Sequence, residues 1–403
     1  MHFYTPKTTE RAMKIQEIIL RAISGQILWL QAAEILGISA RQMRRWKNRY
    51  EKYGYDGLFD RRRRIPSPRK VPLAMAEKIL RLYREKYFDF NAKHFCYKLS
   101  TKHKIKISYN WVRLALQGAG LMPSRKNGSR HRLRRPRKPL VGMMLHIDGS
   151  PHDWLDNGKL YDLLSISDDA NNEVYAMILV KEEDTASCMA IIRETIEKKG
   201  IFCSLYSDRA SHFFITKRAG DNVSKDRSTQ IARALQELGI QPIPAYSPEA
   251  RGRSERLNQT HQGRLPQELR LHNIKTLEAA NAFIQTKYIK EHNKQFKCKP
   301  EQPGSAFLPV PASVNLDKVF CRKYERTVNK DNTISFNHRI LQIGQSPLRV
   351  SFAKCKVTVY EHLDKSVTLA FGPHELGYYL PKDNEYILSK NKKPKCKNIL
   401  STV

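Results

Sequence analysis

The chain has 403 residues, enough for several domains that each build a hydrophobic core. It carries 72 Lys and Arg residues against 39 Asp and Glu residues, which gives a formal net charge of +33. This balance excludes an acidic, solvating protein and favours a polyanionic partner.

The positive charge is concentrated in the first third of the chain. Residues 1–140 hold 34 basic and 9 acidic side chains, whereas residues 141–200 hold 5 basic and 12 acidic ones. The sequence therefore predicts a basic N-terminal region followed by a domain of different character.

The cysteines bear on the compartment and on metal binding. All seven lie outside any CxxC motif or Cys/His cluster in the sequence, which argues against a zinc ribbon or zinc finger and fits a reducing cytoplasm. No run of about 18 apolar residues exists, and the N-terminus lacks the apolar stretch of a signal peptide. We expect a soluble, cytoplasmic protein that does not bind membranes.

Three short helices are predicted between residues 9 and 54 by their apolar spacing. The sequence Leu-Gly-Ile-Ser at 36–39 supplies the tight turn and N-cap of a helix-turn-helix, and Met43, Trp46 and Tyr50 share one face of the third helix. The side chains expected near bases or phosphates in a DNA major groove are Arg41, Gln42, Arg44 and Arg45. The alternative is a basic three-helix bundle without groove contact.

A basic, Pro-containing stretch follows at residues 60–70 and predicts an extended arm that tracks phosphates or enters a minor groove. The arginines expected to contact DNA are Arg61, Arg62, Arg63 and Arg64. The alternative is a solvated linker.

A second helical set is predicted between residues 74 and 120. Its last helix begins after Ser108 and is expected to turn Trp111, Leu114 and Ala115 inward. Together with the first set it would make a bipartite reader of a long DNA site.

After residue 140 the pattern changes from helical spacing to strand-like alternation. Strands are predicted at 141–148, 161–168, 174–180, 201–208 and 240–245. Helices are predicted at 184–199, 228–238, 253–263 and 276–293. This order describes a mixed sheet with helices on its faces, as in α/β catalytic domains.

Short alternating runs from about residue 323 predict a small all-β domain after the α/β layer. The predicted boundaries are 1–60 for the helix-turn-helix domain, 61–73 for a basic linker, 74–123 for a second helix-turn-helix-like domain, 124–140 for a second basic linker, 141–297 for the catalytic core, 298–322 for a Pro-rich linker, 323–382 for a small β-barrel and 383–403 for a basic tail.

Three carboxylates are the candidate catalytic residues. Asp148 and Asp208 each end a predicted strand, where ligands of open α/β sheets bind, and Glu255 lies near the start of a later helix. Three like charges brought together need a cation, and hard oxygen ligands favour Mg²⁺ or Mn²⁺ over zinc. Two such ions can activate the attacking oxygen and stabilise the leaving oxygen of a phosphodiester exchange. We interpret Asp169 as a turn residue and Glu249 as a weaker candidate than Glu255.

Four segments carry a family resemblance: IDGSPHDW at 147–154, LYSD at 205–208, TQIARALQELGI at 229–240 and SPEARGRSERLN at 247–258. With their continuation to residue 271, they make residues 148–296 resemble the DDE transposases of bacterial insertion sequences, in the retroviral-integrase superfamily and most similar to the ISNCY type. The histidine that such sequences carry just after the second aspartate is displaced here to His212. The 47 positions between Asp208 and Glu255 imply an insertion near 215–227.

The resemblance implies an RNase H-like catalytic domain between N-terminal helix-turn-helix modules and a small C-terminal β domain. It implies that Asp148, Asp208 and Glu255 form the acidic triad and bind two Mg²⁺ or Mn²⁺ ions. The expected partners are double-stranded DNA, at element ends and target, and further copies of the chain in a dimer or larger assembly. Such a transposase would associate with the bacterial nucleoid. The arginines expected to hold substrate phosphates are Arg251, Arg253 and Arg256.

Two other functions remain open on the sequence. A DNA-binding repressor or catalytically inactive relic would need only the basic N-terminal region, and an RNase H-like nuclease would cut DNA without joining it. Mg²⁺-dependent nicking of DNA would distinguish a transposase from a repressor or inactive relic. Strand-transfer products would distinguish a transposase from a nuclease.

Overall fold

The computed structural model describes residues 5–59, 70–123, 136–215, 228–246 and 251–381. It divides into two compact units, Met1–Ile79 and Leu80–Val403. No helix in these described ranges is long and apolar enough to cross a bilayer.

The first unit begins with helices α1 (Pro6–Ile23), α2 (Trp29–Ile35) and α3 (Ala40–Tyr53). Their apolar faces meet in one core that includes the buried side chains of Ile19 and Met43. Helix α3 starts where predicted, because the Ser39 hydroxyl accepts a hydrogen bond from the backbone N–H of Gln42.

The turn between α2 and α3 depends on Gly37, whose φ of +63° lies in the left-handed region. A residue with a side chain is strained in that conformation, so glycine suits this position. The turn buries the inner face of α3 and leaves Arg41, Gln42, Arg44 and Arg45 exposed.

Three further helices follow: α4 (Leu73–Lys86), α5 (Ala92–Thr101) and α6 (Tyr109–Gly118). Ser108 caps α6 as predicted, and the predicted Trp111 and Ala115 are half-buried, but the prediction that Leu114 faces inward is wrong. Val112 and Leu116 are buried, whereas Leu114 is 59% exposed. Val112 and Leu116 are four positions apart and so lie on one face of α6. This face packs against the core, and Leu114 lies outside it.

A five-stranded sheet forms the centre of the second unit. Its strands are β1 (Leu145–His152), β2 (Tyr161–Asp168), β3 (Val174–Val180), β4 (Ser204–Ser207) and β5 (Gln241–Pro244). They lie in the order β3-β2-β1-β4-β5. The first three strands are antiparallel neighbours, and β4 and β5 run parallel to β1.

Helices cover both faces of this sheet, as predicted for an α/β layer. They are α7 (Thr185–Lys199), α8 (Gln230–Glu237), α9 (Gly252–Gln262), α10 (Leu265–Leu271), α11 (Leu277–Phe283) and α12 (Ile289–Phe296), the last two joined by a π-helical segment, Ile284–Tyr288. Successive side chains of β2 point to opposite faces of the sheet. Leu164 packs with α7 and α8 in one core, and Leu163 packs with α10 and α11 in another.

Residues 298–322, predicted as a Pro-rich linker, pack on the α/β layer rather than spanning solvent. Ile201 and Leu308 exchange backbone hydrogen bonds of 2.7 and 2.8 Å, and Phe307 and Val310 lie against the core. The segment ends in a short helix, α13 (Leu316–Val319).

The C-terminal part consists of strands around their own core. The strands are β6 (Arg322–Thr327), β7 (Thr333–Phe336), β8 (Arg339–Gln342), β9 (Lys356–Glu361), β10 (Val367–Phe371) and β11 (His374–Tyr379). Four pair in the order β11-β10-β9-β6, and β7 and β8 form a hairpin. Apolar side chains from both groups, including Ile334 and Val359, are buried together.

Candidate active site

The pairing of β1 with β4 brings the two candidate aspartates together. The strands are parallel, and Leu145 and His146 pair with Leu205 and Tyr206. Asp148 and Asp208 lie two residues beyond the second pair, so they occupy equivalent places on adjacent strands.

Asp208 directly follows β4, as predicted, but Asp148 does not end its strand. Strand β1 continues four residues further, to His152, because it stays paired with β2 over its whole length. Asp148 is therefore fixed inside a sheet, whereas Asp208 begins a turn that its own carboxylate closes by accepting the N–H of Ala210 at 3.0 Å.

One arginine bridges the two aspartates. The Arg251 guanidinium donates to Oδ1 of Asp148, and its Nη1 lies 3.6 Å from Oδ2 of Asp208. Asn258 donates to the other oxygen of Asp148 at 2.8 Å. The pair of carboxylates is thus neutralised in part by a cationic group that belongs to the chain itself.

The ionisation of Asp148 reflects this environment. Burial raises its pKa to about 6, the Arg251 guanidinium opposes the rise, and the negative charges of Asp208 and Glu183 add to it. A carboxylate that burial makes hard to ionise is a favourable place for a further cation.

Glu255 lies on the helix that faces β1. Asn258 and Gln262 reach β1 from α9, the latter by donating to the Ser150 hydroxyl at 2.9 Å, and Arg251 reaches β1 from the position just before the helix. Glu255 lies four residues after Arg251 and three before Asn258, so the three residues lie on one side of this segment. Its side chain is exposed, and among the described residues the oxygens of Asp148, Asp208 and Glu255 do not all lie within 4.8 Å of one another, so the structure does not bring the three predicted carboxylates together.

The three arginines around Glu255 differ in their surroundings. Arg251 holds the aspartate pair, Arg253 donates to Asp169, and Arg256 is exposed. Asp169 is buried after β2, in the turn to β3, and also accepts hydrogen bonds from His146 at 2.8 Å and from a backbone N–H at 2.7 Å. Burial opposes its ionisation, but these hydrogen bonds outweigh burial and lower its pKa. Asp169 lies in the turn, as we interpreted it, but its carboxylate binds groups outside the turn.

Several predicted residues fall outside the described ranges. These are Glu249 and the arm residues Arg61, Arg62, Arg63 and Arg64.

A buried ionic cluster, not foreseen from the sequence, joins α5 to α10. Oε1 of Glu268 accepts hydrogen bonds from His94 at 2.6 Å and from Lys98 at 2.5 Å, and all three side chains are buried. Burial opposes ionisation of Glu268, but His94 and Lys98 outweigh it and lower its pKa to about 2. The cluster fixes a helix of the second helical set on the α/β layer.

Sequence reasoning also missed Asn258 as a partner of Asp148. The signal was available, because residues 251, 255, 258 and 262 recur at alternating steps of four and three and so mark one helix face.

Comparisons with known proteins bear on this arrangement. A family model described as a homeodomain-like domain matches residues 42–116, and one described as a helix-turn-helix domain matches residues 16–64. The predicted N-terminal helix-turn-helix region is therefore confirmed.

Relatives with similar sequences extend over most of the chain. The y4bF protein of Sinorhizobium fredii, which bears the name of a transposase, is 28% identical over 372 residues, covering 92% of this chain and 81% of the relative. The transposase for insertion sequence IS1202 of Streptococcus pneumoniae is 27% identical over 388 residues, covering 87% of this chain and 83% of the relative.

Among solved structures, a simian T-cell lymphotropic virus intasome in complex with a PP2A regulatory subunit aligns with 75% of this chain and 96% of its own. The TM-score is 0.33 and the identity 12%, a level of likeness that supports no conclusion.

Proposed function

We propose that this chain, a relative of insertion-sequence transposases, is a DNA transposase of the DDE type. It binds the terminal inverted repeats of its own element, cleaves the DNA there and joins the freed 3′ ends to a target. The observation that carries the proposal is the position of Asp148 in β1 beside Asp208, directly after the adjacent parallel strand β4, with both bridged by Arg251 just before the helix that bears Glu255.

The sheet supports an RNase H-like catalytic domain at residues 141–297. Three antiparallel strands are followed by two strands parallel to the first, and helices cover both faces. The helix-turn-helix region before it and the small all-β domain after it complete the proposed order of domains.

The donor set fits a hard divalent cation. Asp148, Asp208 and Glu255 offer only carboxylate oxygens, the ligands that Mg²⁺ and Mn²⁺ prefer, and the burial that raises the pKa of Asp148 makes its ionised form depend on a nearby cation. We propose that they hold two such ions, with the aspartates sharing one and Glu255 completing the other site. When bound, the ions would activate the attacking oxygen and stabilise the leaving oxygen of a phosphodiester.

The chain's own residues would prepare this exchange. Asn258 holds one oxygen of Asp148 and so fixes the direction of the other. Arg251 must give up its bridge between the aspartates before a cation can take that place, and its guanidinium is then free to bind a substrate phosphate. Arg253 and Arg256 are proposed as further phosphate contacts.

DNA recognition is assigned to the exposed face of α3. Arg41, Gln42, Arg44 and Arg45 lie there, and in a helix-turn-helix such side chains contact base edges and phosphates. We propose that the arm at Arg61, Arg62, Arg63 and Arg64 adds phosphate contacts. Because two element ends must be handled together, the working form is a dimer or larger assembly.

The proposal is tested by strand transfer with DNA carrying the element's ends, in Mg²⁺. Asp148→Asn, Asp208→Asn and Glu255→Gln should each abolish cleavage and joining while end binding persists. Asp156→Asn is the matched control, because Asp156 is exposed in a turn with a φ of +52°, where asparagine is well tolerated.

Other outcomes identify the rival functions. Retained activity in Asp148→Asn would overturn the assignment of the catalytic centre. Binding of ends without any nicking would indicate a repressor or an inactive relic. Cleavage without joined products would indicate a nuclease.

A further inference from the structure

A second group of metal-ligating side chains lies beside the aspartate pair. It consists of Glu183, which follows β3, Cys188 in the first turns of α7, and His212 in the turn after Asp208. One donor atom from each lies within 4.8 Å of the other two. We name this group the Glu-Cys-His cluster.

The spacing of these donors is close to that around a tetrahedral ion. Oε1 of Glu183 lies 2.9 Å from Nε2 of His212 and 3.5 Å from Sγ of Cys188. Zinc bonds of about 2.0–2.3 Å at tetrahedral angles separate neighbouring ligands by about 3.3–3.6 Å. Small side-chain movements would therefore replace the present hydrogen bonds by bonds to one ion.

The fold makes room for the carboxylate of this cluster. Oε2 of Glu183 would lie 2.0 Å from a Cβ atom at position 149, so only the glycine present there allows this approach. Gly149 adjoins Asp148 in β1, and thus the Glu-Cys-His cluster lies next to the proposed Mg²⁺ centre without sharing its ligands.

Charge and ligand type favour a transition-metal ion of the zinc class. Cys188 is fully buried, and the carboxylates of Glu183 and Asp208 act on it as negative neighbours. A thiolate, a carboxylate and a neutral imidazole around a 2+ ion carry no net charge, which limits the cost of burial. Sulfur is a poor ligand for Mg²⁺ but a preferred one for zinc.

We propose that Glu183, Cys188 and His212 bind one Zn²⁺ ion, separate from the ions of the acidic triad. The ion leaves its fourth position for water, because three donors come from the cluster. Binding ties the start of α7 to the turn that Asp208 begins, and so holds that aspartate in place. Binding also releases the thiol proton, so the affinity rises with pH.

The test is titration of the full chain, free of metal, with Zn²⁺ and with Co²⁺ as a spectroscopic probe. The expected result is one tightly bound ion per chain, with a sulfur-to-cobalt charge-transfer band in the near ultraviolet. Cys188→Ala should abolish the band, and His212→Gln should weaken Zn²⁺ binding more than about tenfold. Cys321→Ala is the matched control, because Cys321 is also buried but lies outside the cluster.

The results that overturn the proposal are distinct from failure of the transposase assignment. Absence of the charge-transfer band, or unchanged Zn²⁺ affinity in both Cys188→Ala and His212→Gln, would refute the cluster as a site. The double variant Asp148→Asn/Asp208→Asn should keep the band, and its loss there would refute a separate ion. Far-ultraviolet circular dichroism verifies that each variant is folded, and His212→Gln, at a half-buried turn, tests the site if the buried Cys188 substitution disturbs folding.

Discussion

Asp148→Asn should stabilise the protein in the absence of divalent ions, although it removes a residue proposed for catalysis. The pKa of Asp148 is raised from 3.8 to about 6 by burial. At about 1.4 kcal/mol per pKa unit, this corresponds to about 3 kcal/mol of folding free energy. Because Asp148 ionises less readily in the folded state than in the unfolded state, the free energy of unfolding falls as pH rises from about 4 to beyond 6.

The assay is urea unfolding at several pH values without divalent ions, followed by fluorescence of the buried Trp154. Asparagine cannot ionise, so the free energy of unfolding of the variant, relative to that of the parent, should increase between pH 5 and pH 8. Linkage with the two pKa values gives an increase of about 1 kcal/mol over that interval. Mn²⁺ at pH 8 should stabilise the parent and leave Asp148→Asn nearly unchanged.

The control is Asp156→Asn, which makes the same chemical change at an exposed position outside the aspartate pair. The reasoning is refuted if Asp148→Asn loses stability relative to the parent as pH rises. It is equally refuted if Mn²⁺ stabilises both proteins to the same extent.

Four further substitutions test other parts of the structure. Arg251→Ala should raise the Mn²⁺ affinity of the DNA-free protein by about tenfold, about 1.4 kcal/mol, because it removes a competing cation from the aspartates; calorimetry that shows weaker binding would contradict the bridge. Glu268→Gln should cost about 3 kcal/mol at neutral pH, because the buried Lys98 would keep only the more distant carboxylate of Glu291, at 3.8 Å. Since the pKa of Glu268 is lowered from 4.5 to about 2, that loss should shrink as pH falls below 4.5, and urea unfolding beside the exposed control Glu278→Gln measures it. Arg44→Ala and Arg45→Ala should each weaken DNA binding and reduce the dependence of log K on log salt by about 1, measured by fluorescence anisotropy; an unchanged salt dependence would place α3 away from DNA.

Local signals predicted the elements whose limits are set locally. Strands β2 and β3 have the predicted bounds because they are apolar runs separated by the turn that contains Asn171 and Asn172. Ser39, Ser108 and the Asp184 carboxylate cap helices as expected, since an N-cap acts on the backbone three residues away.

Features that depend on distant partners could not be read from the sequence. Strand β1 extends past Asp148 because β2 continues to pair with it, and Leu114 is exposed because tertiary packing selects a different stripe of α6. The contact of Glu183 with His212 joins residues 29 apart, and the contact of His94 with Glu268 joins residues 174 apart. No periodicity records such pairings.

The most direct measurement of the central claim is anomalous diffraction from crystals of the protein soaked with Mn²⁺. The account predicts ion density between Asp148 and Asp208, with Glu255 among the ligands and the guanidinium of Arg251 withdrawn from the pair. Density confined to other parts of the molecule, or an ion at the aspartates that Glu255 does not reach, would contradict it.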